Sequence, residues 1–257
     1  MTLTHDISLA GHLAALAGGL LAGTIDAIAG GGGLITVPTL LAVGLPPHLA
    51  LGTNKVQSTC GVATAMLRYR HGGLVRLRDW KLAIAFTALG AAAGSALIQR
   101  LSPGLLGWLI PALLVAILVW TLLSPDLGDR ARPARVKPSV LQPAAGTVIG
   151  FHDGFFGPGT GTFWALTLVG LGGLDLRRAT AATKVMNFTS NLVAAVLFVA
   201  AGQFVVSVAL AMTAGQVVGS LVGAHLVLKR PPRFIRWVLV ASVTATAARL
   251  LWRQFGG

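Results

Sequence analysis

Two lysines and two aspartates stand at matched positions in an otherwise apolar sequence. Lys55 and Lys184 are separated by 129 residues, and Asp26 and Asp153 by 127. Charged groups inside a membrane are costly and usually functional. The lysines can therefore bind an anionic solute or a counter-ion, or they can extend to lipid headgroups from the start of a helix. The aspartates can pair with the lysines, bind and release a proton, or cap a turn.

Several polar side chains accompany these charges. His152 adjoins Asp153 and is a candidate proton carrier, although a lone histidine is more often a hydrogen-bonded bystander. Other side chains lie near the lysines on the same predicted helices and can donate hydrogen bonds to an oxyanion: Asn54, Ser58, Thr183 and Asn187. We predict that these groups bind an anionic solute as substrate and that Asp26, Asp153 and His152 are coupling residues, which bind an ion together with it.

Each long first segment ends in a glycine cluster, which a short apolar run follows. Unwound backbone inside a membrane is tolerated only where protein or a water-filled cavity satisfies its polar groups. A helix N-terminus at such a break favours an anion. We therefore predict binding positions at both breaks, with close helix packing as the alternative role: Gly31, Gly32, Gly33, Gly159, Thr160 and Gly161.

The composition places these residues in a membrane protein. Of the 257 residues, 54% are hydrophobic and 11% are charged, and the mean hydropathy is +0.78. The net charge of +13 does not indicate nucleic-acid binding, because the basic residues cluster in short loops between apolar segments. The sequence has no HExxH, GxSxG or paired-cysteine motif, so we predict no enzyme activity, no metal and no cofactor.

The chain is a duplication. At an offset of 129 residues it aligns with itself without a gap from Gly44 to Pro103. The predicted membrane segments are 7–29, 34–44, 49–68, 80–99 and 104–123, then 139–156, 162–173, 178–200, 204–227 and 234–252. An eleven-residue helix rises only about 16 Å, too little to cross the bilayer alone. We predict an all-α fold in which residues 1–123 and 139–257 each form a broken or re-entrant hairpin plus three transmembrane helices.

Basic residues orient the two repeats. Three full crossings per repeat invert the second repeat, and equivalent loops do carry different charges. With residues 124–138 as a cytoplasmic linker, both termini lie outside, and only Arg100, Arg249 and Arg253 fall in outer regions. The inner face then collects fifteen of the twenty basic residues: Arg68, Arg70, Arg76, Arg78, Lys81, Arg130, Arg132, Arg135, Lys137, Arg177, Arg178, Lys229, Arg230, Arg233 and Arg236.

Small-residue stripes mark two helix contacts. Gly90 and Gly94 repeat at Gly219 and Gly223, after Gly215. Such stripes let helices approach closely. They predict either packing within the chain or a homodimer contact.

Two motifs resemble the TauE/SafE (sulfite exporter) family. The first is Gly23–Pro38, which contains Asp26 and the four glycines, followed by Leu51–Lys55; the second is Asp153–Gly161 with Ala182–Lys184. The resemblance covers nearly the whole chain. It implies a polytopic inner-membrane permease for sulfite, organosulfonates such as sulfoacetate, or related small anions.

These observations predict a membrane transporter of a small anion that works by alternating access around a site at mid-depth. Its partners are the solute and the lipid bilayer, with a homodimer as a possibility and nucleic acid excluded. Two alternatives stay open. The chain can transport cations or protons through Asp26 and Asp153, or it can be a membrane partner protein that transports nothing.

Overall fold

The computed structural model describes residues 7–123, 131–231, 234, 237 and 238. Within them the backbone forms helices and turns and no strand. A 3-10 turn, Leu77–Trp80, precedes the fourth helix. In chain order the helices are α1 (Leu9–Ala29), α2 (Gly33–Ala42), α3 (Pro47–His71), α4 (Lys81–Ile98), α5 (Pro103–Leu123), α6 (Pro138–Phe155), α7 (Thr160–Gly170), α8 (Leu176–Ala200) and α9 (Val206–Lys229).

The helices coincide with the predicted apolar segments to within about one helical turn. The all-α prediction is therefore confirmed for the described part of the chain. Four of its helical stretches are long and apolar enough to cross a membrane: Leu9–Ala29, Leu77–Ile98, Leu176–Ala200 and Val206–Lys229. Outside the described residues lie linker positions 124–130, Arg233, Arg236, Arg249, Arg253 and, apart from Phe234, Trp237 and Val238, the predicted segment 234–252.

Glycines end the first helix of each repeat, as the sequence predicts. Gly30 has φ +75° and Gly157 has φ +100°, a backbone region that side chains with a Cβ rarely adopt. At the first break α1 stops at Ala29, and the chain turns back along it as the ten-residue helix α2. The second break joins α6 to the eleven-residue helix α7. Both breaks are therefore turns between a long helix and a short one.

Helices of the two repeats pack against each other through the glycine stripes. α1 packs along α9, and α4 packs along α6. A Cβ at Gly219 would lie 2.1 Å from the Leu20 carbonyl oxygen, and one at Gly90 would lie 2.4 Å from that of Thr147. Leu20 and Thr147 share the 127-residue offset of the aspartates, so equivalent glycines contact equivalent partners. The stripes are used within the chain, which favours the first of their two interpretations.

We expect Gly219→Ala to lower the stability of the folded protein by about 1–3 kcal/mol, because its methyl group must displace the backbone of α1. The matched control is Gly107→Ala on α5, where an added Cβ meets nothing within 4 Å. A helical Gly→Ala change in open space is neutral or stabilising. Thermal unfolding in detergent measures both variants. Equal melting temperatures would contradict this packing.

The loops gather at two ends of the helix bundle. At one end, His48 Nε2 donates to the Leu101 carbonyl oxygen at 3.0 Å. At the same end, the Val205 backbone N–H donates to Thr53 Oγ1 at 3.0 Å. These contacts bring together the starts of α3, α5 and α9. Arg100 is the basic residue in the described loops there.

The other end, which we call the basic end, joins the loops that follow α3 and α7 to the segment before α6. Arg132 N–H donates to the Gly173 carbonyl at 2.9 Å, and the Arg177 guanidinium donates to the Arg230 carbonyl. Gln142 Nε2 donates to the Asp79 carbonyl at 3.0 Å. The described basic residues at this end are Arg68, Arg70, Arg76, Arg78, Lys81, Arg132, Arg135, Lys137, Arg177, Arg178, Lys229 and Arg230.

Candidate functional site

The two lysines at matched positions of the duplication each form a buried ion pair with the aspartate of the other repeat. Lys55 Nζ lies 2.7 Å from Asp153 Oδ1, and Lys184 Nζ lies 2.9 Å from Asp26 Oδ2. The lysine side chains are 1% and 0% exposed, so neither reaches the lipid headgroups. The structure therefore brings the four predicted charged residues together as two pairs that join the repeats.

The ammonium groups also cap the first helix of each repeat. Lys184 donates to the backbone carbonyl of Asp26 near the end of α1, and Lys55 donates to that of Asp153 near the end of α6. A helix C-terminus carries partial negative charge and unpaired carbonyls, so a cation is stabilised there. Each lysine lies in the third turn of its own helix, about 12 Å from the helix start. The pairs thus have a structural role as well as a chemical one.

The two aspartates have different second partners. Asp153 Oδ2 accepts hydrogen bonds from Ser190 Oγ and, at 3.4 Å, from Asn191 Nδ2. Asp26 Oδ1 accepts from the backbone N–H of Gly32 at 3.3 Å. Asp26 therefore holds the first glycine break directly, whereas Asp153 is held by side chains of α8. The duplicated site is not symmetric in detail.

The two glycine breaks touch each other at the centre of the bundle. A Cβ at Gly30 would lie 2.6 Å from Gly161 Cα, and one at Gly33 would lie 3.0 Å from Pro158 Cα. The half-helices α2 and α7 begin at these positions, so their N-terminal turns meet. Each first turn carries N–H groups without an intrahelical acceptor and a partial positive charge.

A small polar cavity, which we call the central cavity, lies between the breaks. Its volume of about 20 Å³ is room for one water-sized group. Most predicted site residues line it, including Lys55 and both aspartates. The full lining is Asp26, Gly31, Gly32, Gly33, Asn54, Lys55, Ser58, Val62, Asp153, Gly157, Gly159, Thr160, Gly161, Asn187, Asn191 and Gln216.

Three predicted residues do not line this cavity. Lys184 is covered by its own ion pair with Asp26. Thr183 is buried, and its Oγ1 has no hydrogen-bond partner in the described part of the chain. His152 Nε2 donates to the Pro158 carbonyl at 3.1 Å, and its ring packs edge-on against Phe163 with centroids 5.0 Å apart. His152 therefore contacts the second break but not the ion pairs.

Other polar residues at the site are absent from the sequence prediction. Asn191 lies four residues after Asn187, so both share one face of α8 and line the cavity. Gln216, in the apolar helix α9, also lines it. Its counterpart at the 129-residue offset is Thr87. Two polar residues at matched positions of apolar helices were a feature of the sequence that could have identified Gln216 as a site residue. Thr36 donates to Asn54 Oδ1 at 2.5 Å and so fixes that amide.

The charges of the site sum to zero, since two lysines face two aspartates. The cavity wall is nevertheless rich in donors, from amide and hydroxyl side chains and from two helix N-termini. Such a wall can bind an oxyanion once a carboxylate gives up its place on Lys55 or is protonated. In the present conformation the space is too small for a solute larger than water.

Comparison with known proteins agrees with this architecture. Residues 15–250 match the family described as Sulfite exporter TauE/SafE. A "Probable membrane transporter protein" of Haemophilus influenzae is 41% identical over 236 residues, which are 92% of each chain. The "Probable membrane transporter protein YfcA" of Escherichia coli K12 is 39% identical over 237 residues, 92% of this chain and 88% of that protein.

A third relative, "Probable membrane transporter protein ORF9" of a Sinorhizobium species, is 41% identical over 246 residues. The alignment covers 95% of this chain and 94% of that protein. No solved structure matches the chain significantly. A family match over nearly the whole length, together with relatives of about 40% identity, establishes that this chain belongs to the Sulfite exporter TauE/SafE family of membrane transporters.

Proposed function

We propose that this transporter moves a small anion, such as sulfite, an organosulfonate or a related oxyanion, across the inner membrane. The observation that carries the proposal is the convergence of Lys55 and the first turns of α2 and α7 on one buried polar cavity. Half-helix N-termini near mid-membrane are the usual device by which transporters bind anionic solutes. The amides of Asn54, Asn187 and Asn191 would supply further hydrogen bonds.

The proposed mechanism is alternating access between two inverted repeats, residues 1–123 and 139–257. The loop contacts at the two ends support the inversion, because the loop after α3 lies at the basic end and its counterpart after α8 lies at the other. The positive-inside rule makes the basic end cytoplasmic. The linker, residues 124–138, is then cytoplasmic, and both termini are outside.

The ion pairs suggest how binding and movement are coupled. An arriving anion competes with Asp153 for Lys55, and a proton on the displaced carboxylate would keep the buried charge balanced. Asp26 would respond in the same way on the other side, where its bond to Gly32 connects it to the break. His152, which is hydrogen-bonded at the second break, is a further candidate for moving the proton.

A second candidate function is proton or cation transport through Asp26 and Asp153. It is favoured by one observation, the zero net charge of the four central residues. Both carboxylates are occupied by lysines, and no third acidic group lies in the cavity wall of the described structure. We therefore rank anion transport first.

Thermal stabilisation by candidate solutes tests the function, since a ligand that binds only the folded state raises its melting temperature. Purified protein in detergent is heated with sulfite, thiosulfate, sulfonates or small carboxylates. Sodium chloride at equal ionic strength is the control. We expect one oxyanion class to stabilise the protein by about 2–3 kcal/mol at a hundredfold excess over its dissociation constant. Stabilisation by cations alone would contradict anion transport.

A further inference from the structure

A second cavity, much larger than the central one, lies at the basic end. Its volume is about 420 Å³, within the range of small-molecule binding sites. Arg76, Arg178 and Asp79 belong to its wall, and Leu141, Leu168 and Ala182 supply apolar surface. Residues from the loop after α3, the start of α6, the end of α7 and the start of α8 thus enclose one space. We call it the basic-end cavity.

The charge of this cavity favours an anion. Two arginines face one aspartate in its lining, and the rest of the basic end adds further lysines and arginines. Arg76 Nε lies 3.4 Å from Asp79 Oδ2, and Arg178 Nε lies 3.6 Å from Asp175 Oδ2, which is not part of the lining. These arginine side chains are 69% and 67% exposed, so an entering anion can reach them. A concave surface with an excess of positive charge raises the local concentration of anions.

Helix α7 connects the two cavities. Gly161, Trp164 and Leu168 follow at intervals of three and four residues, so they share one face of α7, and Gly172 lies two residues after the helix ends. Gly161 lines the central cavity, whereas Leu168 and Gly172 line the basic-end cavity. Trp164 lies between them, is 1% exposed, and belongs to the same apolar cluster as Leu168 and Ala182. Its buried side chain therefore starts on α7 between the residues that line the two spaces.

Buried donors without partners mark this stretch. Trp164 Nε1 and Thr183 Oγ1 have no hydrogen-bond partner in the described structure. Thr183 follows Ala182 of the basic-end cavity and precedes Lys184 of the ion pair with Asp26. A buried N–H or O–H without a partner is costly and needs an explanation. Transient hydrogen bonds to a passing oxyanion provide one.

The geometry points to the basic-end cavity as a cytoplasmic binding site for the transported solute, with Trp164 as the barrier between it and the central cavity. The wall selects an organic anion with a short apolar body, a sulfonate or carboxylate, since arginines stand beside leucines. This inference rests on the proposed anion transport. It adds a second site and a route along α7.

Thiol labelling tests the cavity without measuring transport. Cys60 is the single cysteine, so Cys60→Ser gives a cysteine-free background into which Leu174→Cys is introduced, at a half-buried position of the cavity wall. The probes are an anionic reagent, 2-sulfonatoethyl methanethiosulfonate, and its cationic trimethylammonioethyl analogue, added to the purified protein in detergent, where both ends of the bundle are accessible. Ala201→Cys, in the exposed loop at the opposite end, is the control.

We expect the anionic reagent to modify Leu174→Cys about tenfold faster than the cationic one, relative to the control position. Arg76→Gln with Arg178→Gln should return that ratio to the control value. Equal labelling rates with the two reagents would overturn the assignment. A rate ratio that stays the same when both arginines are replaced would also overturn it. Because labelling requires no transport, this failure is distinct from a failure of the thermal-shift panel, which tests the proposed function.

Two further arms identify the occupant and the barrier. Isethionate, a small free sulfonate, should slow the labelling of Leu174→Cys in phosphatidylcholine vesicles; slowing that requires phosphatidylglycerol instead assigns the cavity to lipid and overturns the proposal. Thr183→Cys should react slowly, and Trp164→Leu should accelerate it at least tenfold without changing the rate at Leu174→Cys. If Thr183→Cys reacts at the same rate in the Trp164→Leu variant as in the protein that keeps Trp164, then Trp164 is not the barrier.

Discussion

Lys55→Ala is expected to abolish transport and also to destabilise the fold. The second effect follows from the buried ion pair with Asp153. Without the ammonium group, Asp153 is left as a buried charge, which costs roughly 3–5 kcal/mol. The measurements are thermal unfolding in detergent and solute flux in proteoliposomes. A loss of flux in this variant alone would therefore not separate binding from folding.

The double variant Lys55→Ala with Asp153→Ala separates the two effects. It removes both charges, so we expect most of the lost stability to return while flux stays absent. The matched control is Lys184→Ala with Asp26→Ala, which removes the other ion pair. Lys184, unlike Lys55, does not line the central cavity. We expect flux to be impaired less in the control than in the first double variant. Normal flux in the first double variant would remove Lys55 from the mechanism.

The second large effect is expected from Asp153→Asn and Asp26→Asn. The amide oxygen can still accept from the lysine, but the site gains positive charge and loses a group that binds a proton. We therefore expect anion binding to persist while proton-driven accumulation falls at least tenfold. Thermal shift with the active solute measures binding. Counterflow compared with uphill uptake in proteoliposomes measures coupling.

Asp126→Asn is the control for these variants, because Asp126 is an aspartate of the linker between the repeats, residues 124–138, and is not one of the residues described in either cavity wall. It should leave both binding and accumulation unchanged. The cation hypothesis makes the opposite prediction for the central aspartates. Loss of all solute binding in both central variants would favour it.

Much of the fold follows from local patterns in the sequence. Helix boundaries agree with hydropathy because each apolar run is bounded by glycine, proline or charged residues. The breaks at Gly30 and Gly157 were predictable because positive φ is needed there and both repeats need it at the same position. The loop charges likewise divide unequally between the two ends of the bundle. These features depend on short segments, whose physical preferences a single sequence carries.

Contacts between distant segments were harder to predict. Matched positions identified Lys55, Lys184, Asp26 and Asp153, but not that each lysine would pair with the aspartate of the other repeat. That choice follows from α1 packing on α9 and α6 packing on α4, which the glycine stripes permit without specifying a partner. The burial of Lys184 behind its carboxylate depends on the same packing.

The size of the central cavity also could not be predicted from the sequence. Its small volume results from direct contact between Gly30 and Gly161, two residues 131 positions apart in the chain. Gln216 fills space beside Gly61, where an added Cβ would lie 2.1 Å from Gln216 Cγ. Such complementary sizes appear only when the helices are assembled. In this arrangement the proposed site has no room for a solute larger than water.

The location of a bound oxyanion tests the central claim most directly. Selenite resembles sulfite in shape and charge, and selenium can be located by anomalous scattering in crystals of the transporter. The account predicts a selenium peak at the central cavity, within hydrogen-bonding reach of Lys55 and the first turns of α2 and α7. A peak confined to surface arginines of the basic end, with none between the glycine breaks, would contradict it.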